Sequence, residues 1–346
     1  MATSFRTAAD PNGLISRLFR VLVGVVALAG FFSGASAAPA IGELTQDEIE
    51  ERLAEPGSQL RKFVTGLEES IVSGKLVAAE EMIDRDAILT RATQRVAFEG
   101  DRTVRDLFCD STRRAWDQRA ITRDYAGTKF RFLRARTMGG RGGLLFRSSS
   151  RNGSINYALF TLNETEPGDY RVADVFIVGL NEFLSDTLRR TWLNVAAGFL
   201  GDKAVNIEGV NPDYVASISD VAAISRDLNA GKFEQVIKAI RELPYSVQTD
   251  RTVLLMRMEA AERISIEERN AVYTAWLETN SDEMGLPLKF IDFYVTQHRW
   301  DDAERVLRGL IGSLGEDALI NMELGTVIYR RECEQAGIAA SLSARR

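Results

Sequence analysis

The chain has 346 residues, 45% hydrophobic and 27% charged, with a formal net charge of −6 and a pI of ≈ 5.2. That is a globular composition long enough for about two domains, and it excludes wholesale disorder. A mildly acidic chain also lacks the basic surface that bulk nucleic-acid binding requires, so no nucleic-acid partner is expected.

Taken in chain order, the N-terminus reads first as an address. Arg17 and Arg20 precede an apolar run from Val21 to Phe32, and Ala35-Ser36-Ala37 follows as a small-x-small site. Basic, apolar, small is the order of a secretory signal peptide. The run is short of the ~20 residues a spanning helix needs, so cleavage near Ala38 is expected over retention as an anchor. The product is then exported, periplasmic or extracellular, with no transmembrane span after cleavage. The expected boundaries are a signal peptide over 1–37, an N-terminal segment over 38–57, an α+β domain over 58–200, and helical repeats with a cap helix over 211–340. Cys109 and Cys333 fall in separate halves and read as independent thiols.

Thr45-Gln46-Asp47-Glu48 is a capping box, which starts a helix near Gln46, and Pro56-Gly57 ends it. Apolar residues at helical spacing continue over 58–73 and 75–95, with Leu60, Phe63, Val64, Leu67 and Ile71 on one stripe. A further helical pattern covers 101–125. From Thr128 the period becomes two, and 128–138, 143–150, 154–163 and 170–179 read as strands. Their separators are turn chemistry: Gly139 to Gly142, Arg151-Asn152-Gly153, and Glu164 to Asp169 around Pro167-Gly168. Helices followed by a four-strand antiparallel meander predict an α+β fold with helices packed on a curved sheet.

On the last strand, Tyr170, Val172, Asp174, Phe176 and Val178 share one face, which is apolar except for a single carboxylate. A buried carboxylate needs a partner. Arg134 and Arg136, read as sharing a face with Phe130 and Phe132, are the candidates. Either Asp174 and an arginine mark the polar end of a ligand pocket, or they form a structural ion pair in a packed core. Residues 123–151 carry eight Lys or Arg against Asp124 alone. Such a run suits either an anionic headgroup or solvated strand positions.

The stretch "YRVADVFIVGLNEFLSDTLRRTW" (170–192), after helices and a meander, resembles the nuclear transport factor 2-like α+β cone. More narrowly, it is similar to the periplasmic phospholipid-carrier proteins of bacterial outer-membrane lipid trafficking. In these a last strand of the type valine-x-aspartate-valine ends in glycine before a short helix leading to arginine. The matching residues are Val172, Asp174, Val175, Gly179 and Leu188-Arg189, and the resemblance spans about 58–195. It implies a pocket between sheet and helices for a lipid or other apolar ligand. Arg134, Tyr157, Asp174 and Phe176 are its candidate ligand-binding residues.

From about Asn211 the pattern is helical throughout. "FEQVIKAIREL", "IEERNAVYTAWL" and "WDDAERVLRGLI" begin at Phe233, Ile266 and Trp300, at intervals of 33 and 34 residues. Their eighth positions (Ile240, Tyr273, Leu307) and eleventh positions (Leu243, Trp276, Leu310) are all apolar. Each is preceded by another helix, near 215–229, 249–263 and 283–297, across a tight turn. Helix pairs at this period resemble a degenerate tetratricopeptide repeat, closed by a cap helix over 316–336. Such units stack into a short solenoid. Its wall is a protein- or peptide-binding surface in similar proteins, with Arg257, Lys289 and Asp292 as candidates here.

Catalytic chemistry is sparse. His298 is the only histidine, in a turn, and two distant cysteines give no zinc spacing. No nucleophile-elbow, phosphate-loop or dinucleotide motif occurs, so no cofactor and no metal are expected. The reading is a non-catalytic exported binding protein. One form has an apolar ligand in the cone and a protein partner on the repeats. In another both parts are protein-interaction modules and the cone is solid. A lyase or isomerase using Asp174 with Tyr157 is the weaker alternative.

Overall fold

The computed structural model describes residues 42–94, 101–118, 121–150, 155–200, 211–280 and 287–343. The signal peptide expected over 1–37 lies outside the described residues. Contacts group the chain into two compact units. One runs through Ile177 and from Glu182 to Val272; the other comprises Val178–Asn181 and the chain from Tyr273 onward.

In the first unit, helix α1 (Gln46–Ala54) opens on the expected capping box: the Thr45 hydroxyl accepts from Glu48 N, and the Glu48 carboxylate accepts from Thr45 N at 2.7 Å. Helix α2 (Gln59–Val72) starts on a Ser58 cap and buries Leu60, Val64, Leu67 and Ile71. The helix expected over 75–95 is two, α3 (Leu76–Glu81) and α4 (Arg85–Thr93). The break has a cause. Met82 O accepts from Val172 N, and Asp84 N donates to Val172 O, both at 2.8 Å, so residues 82–84 pair with a sheet edge instead of continuing the helix. Helix α5 (Asp101–Gln118) and a 3-10 turn (Ile121–Tyr125) lead to the sheet.

The sheet has five antiparallel strands in sequential order: β1 (Lys129–Met138), β2 (Arg141–Ser149), β3 (Ile155–Glu166), β4 (Asp169–Ile177) and β5 (Glu182–Phe183). The fourth strand stops at Ile177, and the unexpected fifth pairs Phe183 with Phe176 and Glu182 with Ile177. The β1–β2 turn is Gly139-Gly140 alone, with φ of 56° and 77°, the positive-φ pair that a two-residue hairpin turn demands. Arg141 and Gly142 are already strand. Two bulges change which face the side chains take. On β1 the register shifts between Phe132 and Arg134. Against β3 it shifts so that Leu162 faces Val172 but Thr161 faces Asp174. Each extra residue reverses the alternation. Arg134 and Arg136 therefore do not share a face with Phe130 and Phe132, nor Asp174 and Phe176 with Tyr170 and Val172, contrary to strict alternation.

Both sheet faces are packed. One carries Phe130 stacked on Phe146 at 4.7 Å, with Phe160 and Tyr125 edge-on or tilted around them. α1 packs on β1 and β2, while α4 and helix α6 (Leu184–Leu200) pack on β4. Trp192 of α6 is fully buried with its ring 5.4 Å from Phe108. The unit continues with α7 (Pro212–Ala216), α8 (Ile218–Asn229), α9 (Phe233–Glu242), α10 (Tyr245–Gln248) and α11 (Arg251–Ile264). Helix α12 (Ile266–Asn280) crosses the division between units. The Glu182 carboxylate ties this helical part to the sheet. It accepts from Arg190 at 2.6 and 2.8 Å and lies 3.5 Å from Arg251 of α11. Burial raises its pKa, but the Arg190 hydrogen bonds and the Arg190 and Arg251 charges outweigh this and hold it below the usual carboxylate range.

The second unit contains α13 (Pro287–Thr296), α14 (Trp300–Leu314) and α15 (Ala318–Ser343), with α14 packed on both neighbours. After Phe183 the described residues contain no strand. The expected starts at Phe233, Ile266 and Trp300 are the observed ones. All six apolar eighth and eleventh positions are buried. Two of the three hairpin turns are built alike. Gly231 (φ 76°) and His298 (φ 56°) are left-handed, and the next residue's N–H returns five residues back, Lys232 to Asp227 O and Arg299 to Tyr294 O. The middle turn differs: Ser265 is extended, and its hydroxyl caps Glu268 N at 3.1 Å.

Candidate functional site

Asp174 is fully buried beside the bulge on β4. Its partner is Arg141, at the head of β2, which donates at 2.8 Å. Arg134 and Arg136 belong to β1, three strands away at ~4.8 Å per strand, beyond direct reach. Asp174 also accepts from Val175 N at 2.9 Å, Ser185 N at 3.2 Å and the Ser185 hydroxyl. A carboxylate has about four acceptor positions, so these donors fill it. Arg141 is equally committed. It donates Nε to Glu43 at 2.7 Å and a second nitrogen to the other Glu43 oxygen, and its guanidinium lies 3.9 Å over the Phe183 ring.

Glu43 is itself held by Arg91 at 2.7 Å and accepts from the Thr161 hydroxyl at 3.1 Å. Arg91 turns another nitrogen to the Ala173 carbonyl at 2.6 Å, the carbonyl that the bulge removes from the ladder. Burial raises the Glu43 pKa, but the Arg141 hydrogen bonds, Arg141 and Arg91 charges and Thr161 outweigh it and hold the carboxyl below its ordinary value. The network runs Arg91–Glu43–Arg141–Asp174–Ser185 and fastens the N-terminal segment, α4, the sheet and α6 together. Sequence reading missed four of its members. Arg141 was read as a turn residue, and Glu43, Arg91 and Ser185 lie too far off in sequence to signal a common centre.

The other candidates of the sheet body are packed. Tyr157 and Phe176 are 1% and 4% exposed, and Arg134 and Tyr157 both have partners within the fold. Leu144, Leu145, Phe146, Leu159 and Phe160 are at 0%. Residues with no accessible surface border no void that a water could enter, so these side chains are closely packed. An open cleft of about 490 Å³ lies elsewhere, lined by Arg85, Asp86, Arg113, Asp117 and Arg171 among others. Its arginines are already engaged, Arg85 with Asp117 at 2.7 Å and Arg113 with Asp86 at 2.8 Å.

Among the candidates of the helical part, Lys289 is 7% exposed and Asp292 is half-buried, and neither is free of partners. Arg257 is half-buried and makes no hydrogen bond or ion pair among the described residues. His298 is exposed and contacts Glu334 at 3.3 Å. Cys109 and Cys333 are both free, and burial pushes the Cys109 thiol up to about 11. No group of three or more His, Cys, Asp or Glu among the described residues is placed to hold a metal. None of their helices is long and apolar enough to cross a membrane. No protein-family model, curated protein or solved structure matches the chain.

Proposed function

We propose that this chain is an exported, non-catalytic binding protein of the cell envelope. Its α+β body, a nuclear transport factor 2-like cone, is solid and serves as a frame. Its helical hairpins form a short tetratricopeptide-like solenoid that docks a protein partner. One observation carries the choice of a solid frame over a lipid carrier: Asp174, Tyr157 and Phe176 have 0%, 1% and 4% of their surface exposed. The same saturation disfavours a lyase or isomerase, because every acceptor position of Asp174 is spent on the fold. The solenoid reading is supported by the 33- and 34-residue intervals and by the like turns at Gly231 and His298. Export rests on the basic–apolar–small order of the first 37 residues.

Native mass spectrometry of the protein purified from its own envelope tests the reading. The expected mass is that of a chain beginning near Ala38, free of lipid and accompanied by a stoichiometric protein. Stoichiometric copurifying lipid would overturn the solid frame in favour of the apolar-ligand reading drawn from the 170–192 pattern. An uncleaved chain would overturn the exported soluble form.

A further inference from the structure

We propose that Arg257 of α11, with Arg241 of α9 beside it, receives an acidic side chain of the docked protein partner. The inference rests on the docking reading above and names the chemistry that the partner must bring.

Among the half-buried arginines of the described residues, Arg257 is the one with neither a hydrogen bond nor an ion pair. Its Nε is sealed from solvent and unbonded. The charges that act on it are those of Glu268, which attracts it, and Arg241, which repels it. Glu268 does not complete the pair. One of its oxygens is bonded to Arg241, and the other is buried without a hydrogen-bond partner. The Arg241 and Arg257 guanidinium groups thus share one carboxylate, and only Arg241 is bonded to it. Withdrawing a cation from water without a partner costs stability, so packing alone gives no account of this arginine. Three other half-buried arginines, Arg85, Arg141 and Arg190, each hold a carboxylate.

The site is reachable, since Arg257 keeps part of its surface and the Arg241 side chain is 56% exposed. A planar guanidinium donates to a carboxylate through paired nitrogens, and that geometry suits Asp or Glu.

The test uses the full exported chain, nitrogen-15 labelled, titrated with pentaglutamate and pentaglutamine peptides blocked at both ends. The pentaglutamate peptide should shift the Arg257 Nε–Hε resonance and the pentaglutamine peptide should not. Arg257→Met should weaken binding of pentaglutamate by ~10-fold or more, the scale of a charge-assisted bond. It should leave the melting temperature unchanged or higher, because it removes an unpaired cation; a structural arginine would lower it. Arg257→Lys should retain partial binding. Equal response to both peptides, displacement by inorganic phosphate at equal concentration, or a lower melting temperature in Arg257→Met overturns the proposal. Retention of a stoichiometric envelope partner by Arg257→Met overturns this site while leaving docking intact. Absence of any partner with the natural chain overturns both.

Discussion

Asp174 in the sheet body and Arg257 in the helical part are both ionisable side chains withdrawn from water, and they stand in opposite hydrogen-bonding states. Asp174 has four donors from Arg141, Val175 and Ser185, and its arginine is in turn held by Glu43. Arg257 has none. A buried charge that is saturated belongs to the architecture, since nothing is left to offer a ligand. A half-buried charge that is unsatisfied costs stability and keeps donors that a ligand could use. The difference separates the proposed frame from the proposed docking surface more sharply than residue type does, since the sequence nominated both residues as candidates.

The strongest way to break the comparison is Asp174→Ala. It leaves one Arg141 nitrogen and the Val175 and Ser185 donors unpaired in the interior, with Arg141 still held by Glu43, and should cost about 3–5 kcal/mol, measured by denaturant unfolding. A loss below ~1 kcal/mol would mean that the network is not structural. Next is Glu182→Gln, which leaves Arg190 uncompensated and should cost about 3 kcal/mol at neutral pH. The sign in pH follows from its depressed folded pKa. The contribution is present above the ordinary carboxylate range and is lost as pH falls through the folded value, so the variant should flatten the acid limb of the stability curve. An unchanged acid limb counts against the Glu182 tie.

Gly142→Ala should cost about 1–3 kcal/mol by thermal unfolding, because a Cβ there would stand 2.4 Å from Gln46 N and 2.7 Å from the Thr45 carbonyl carbon. Full stability in that variant would show that α1 does not sit tightly on β2. The smallest change has the opposite sign. His298→Gly relieves a left-handed non-glycine residue at φ 56° and should raise stability by up to about 1 kcal/mol, less whatever the Glu334 contact contributes. A clear loss would show that the contacts of His298 with Glu334 and Trp300 outweigh its backbone strain.

Much of the architecture was legible. The capping box at Thr45, the period of two from Thr128, and the helix starts at Phe233, Ile266 and Trp300 are local signals, and each element formed where its signal lay. The candidate site was legible in one member only. Asp174 stood out as a carboxylate in an apolar strand, but its true partner looked like a turn residue. The face assignments failed at Leu133 and Ala173, where an added residue reverses the alternation. A bulge is set by the register of the neighbouring strand, and a single strand's sequence holds no record of it.

Composition, period and cap chemistry thus determined by themselves the α+β-then-helical order, the element starts and the two buried stripes of the hairpins. These depend on residues within one or two turns of each other. Only the tertiary structure decided that residues 82–84 pair with the sheet edge, that Arg141 neutralises Asp174, and that Arg257 is left with no hydrogen bond or ion pair. Those outcomes turn on groups such as Glu43, Arg91, Arg141 and Asp174, far apart in sequence and brought together by packing. Whether a charge is satisfied is a property of distance in space, and no spacing along the chain encodes it.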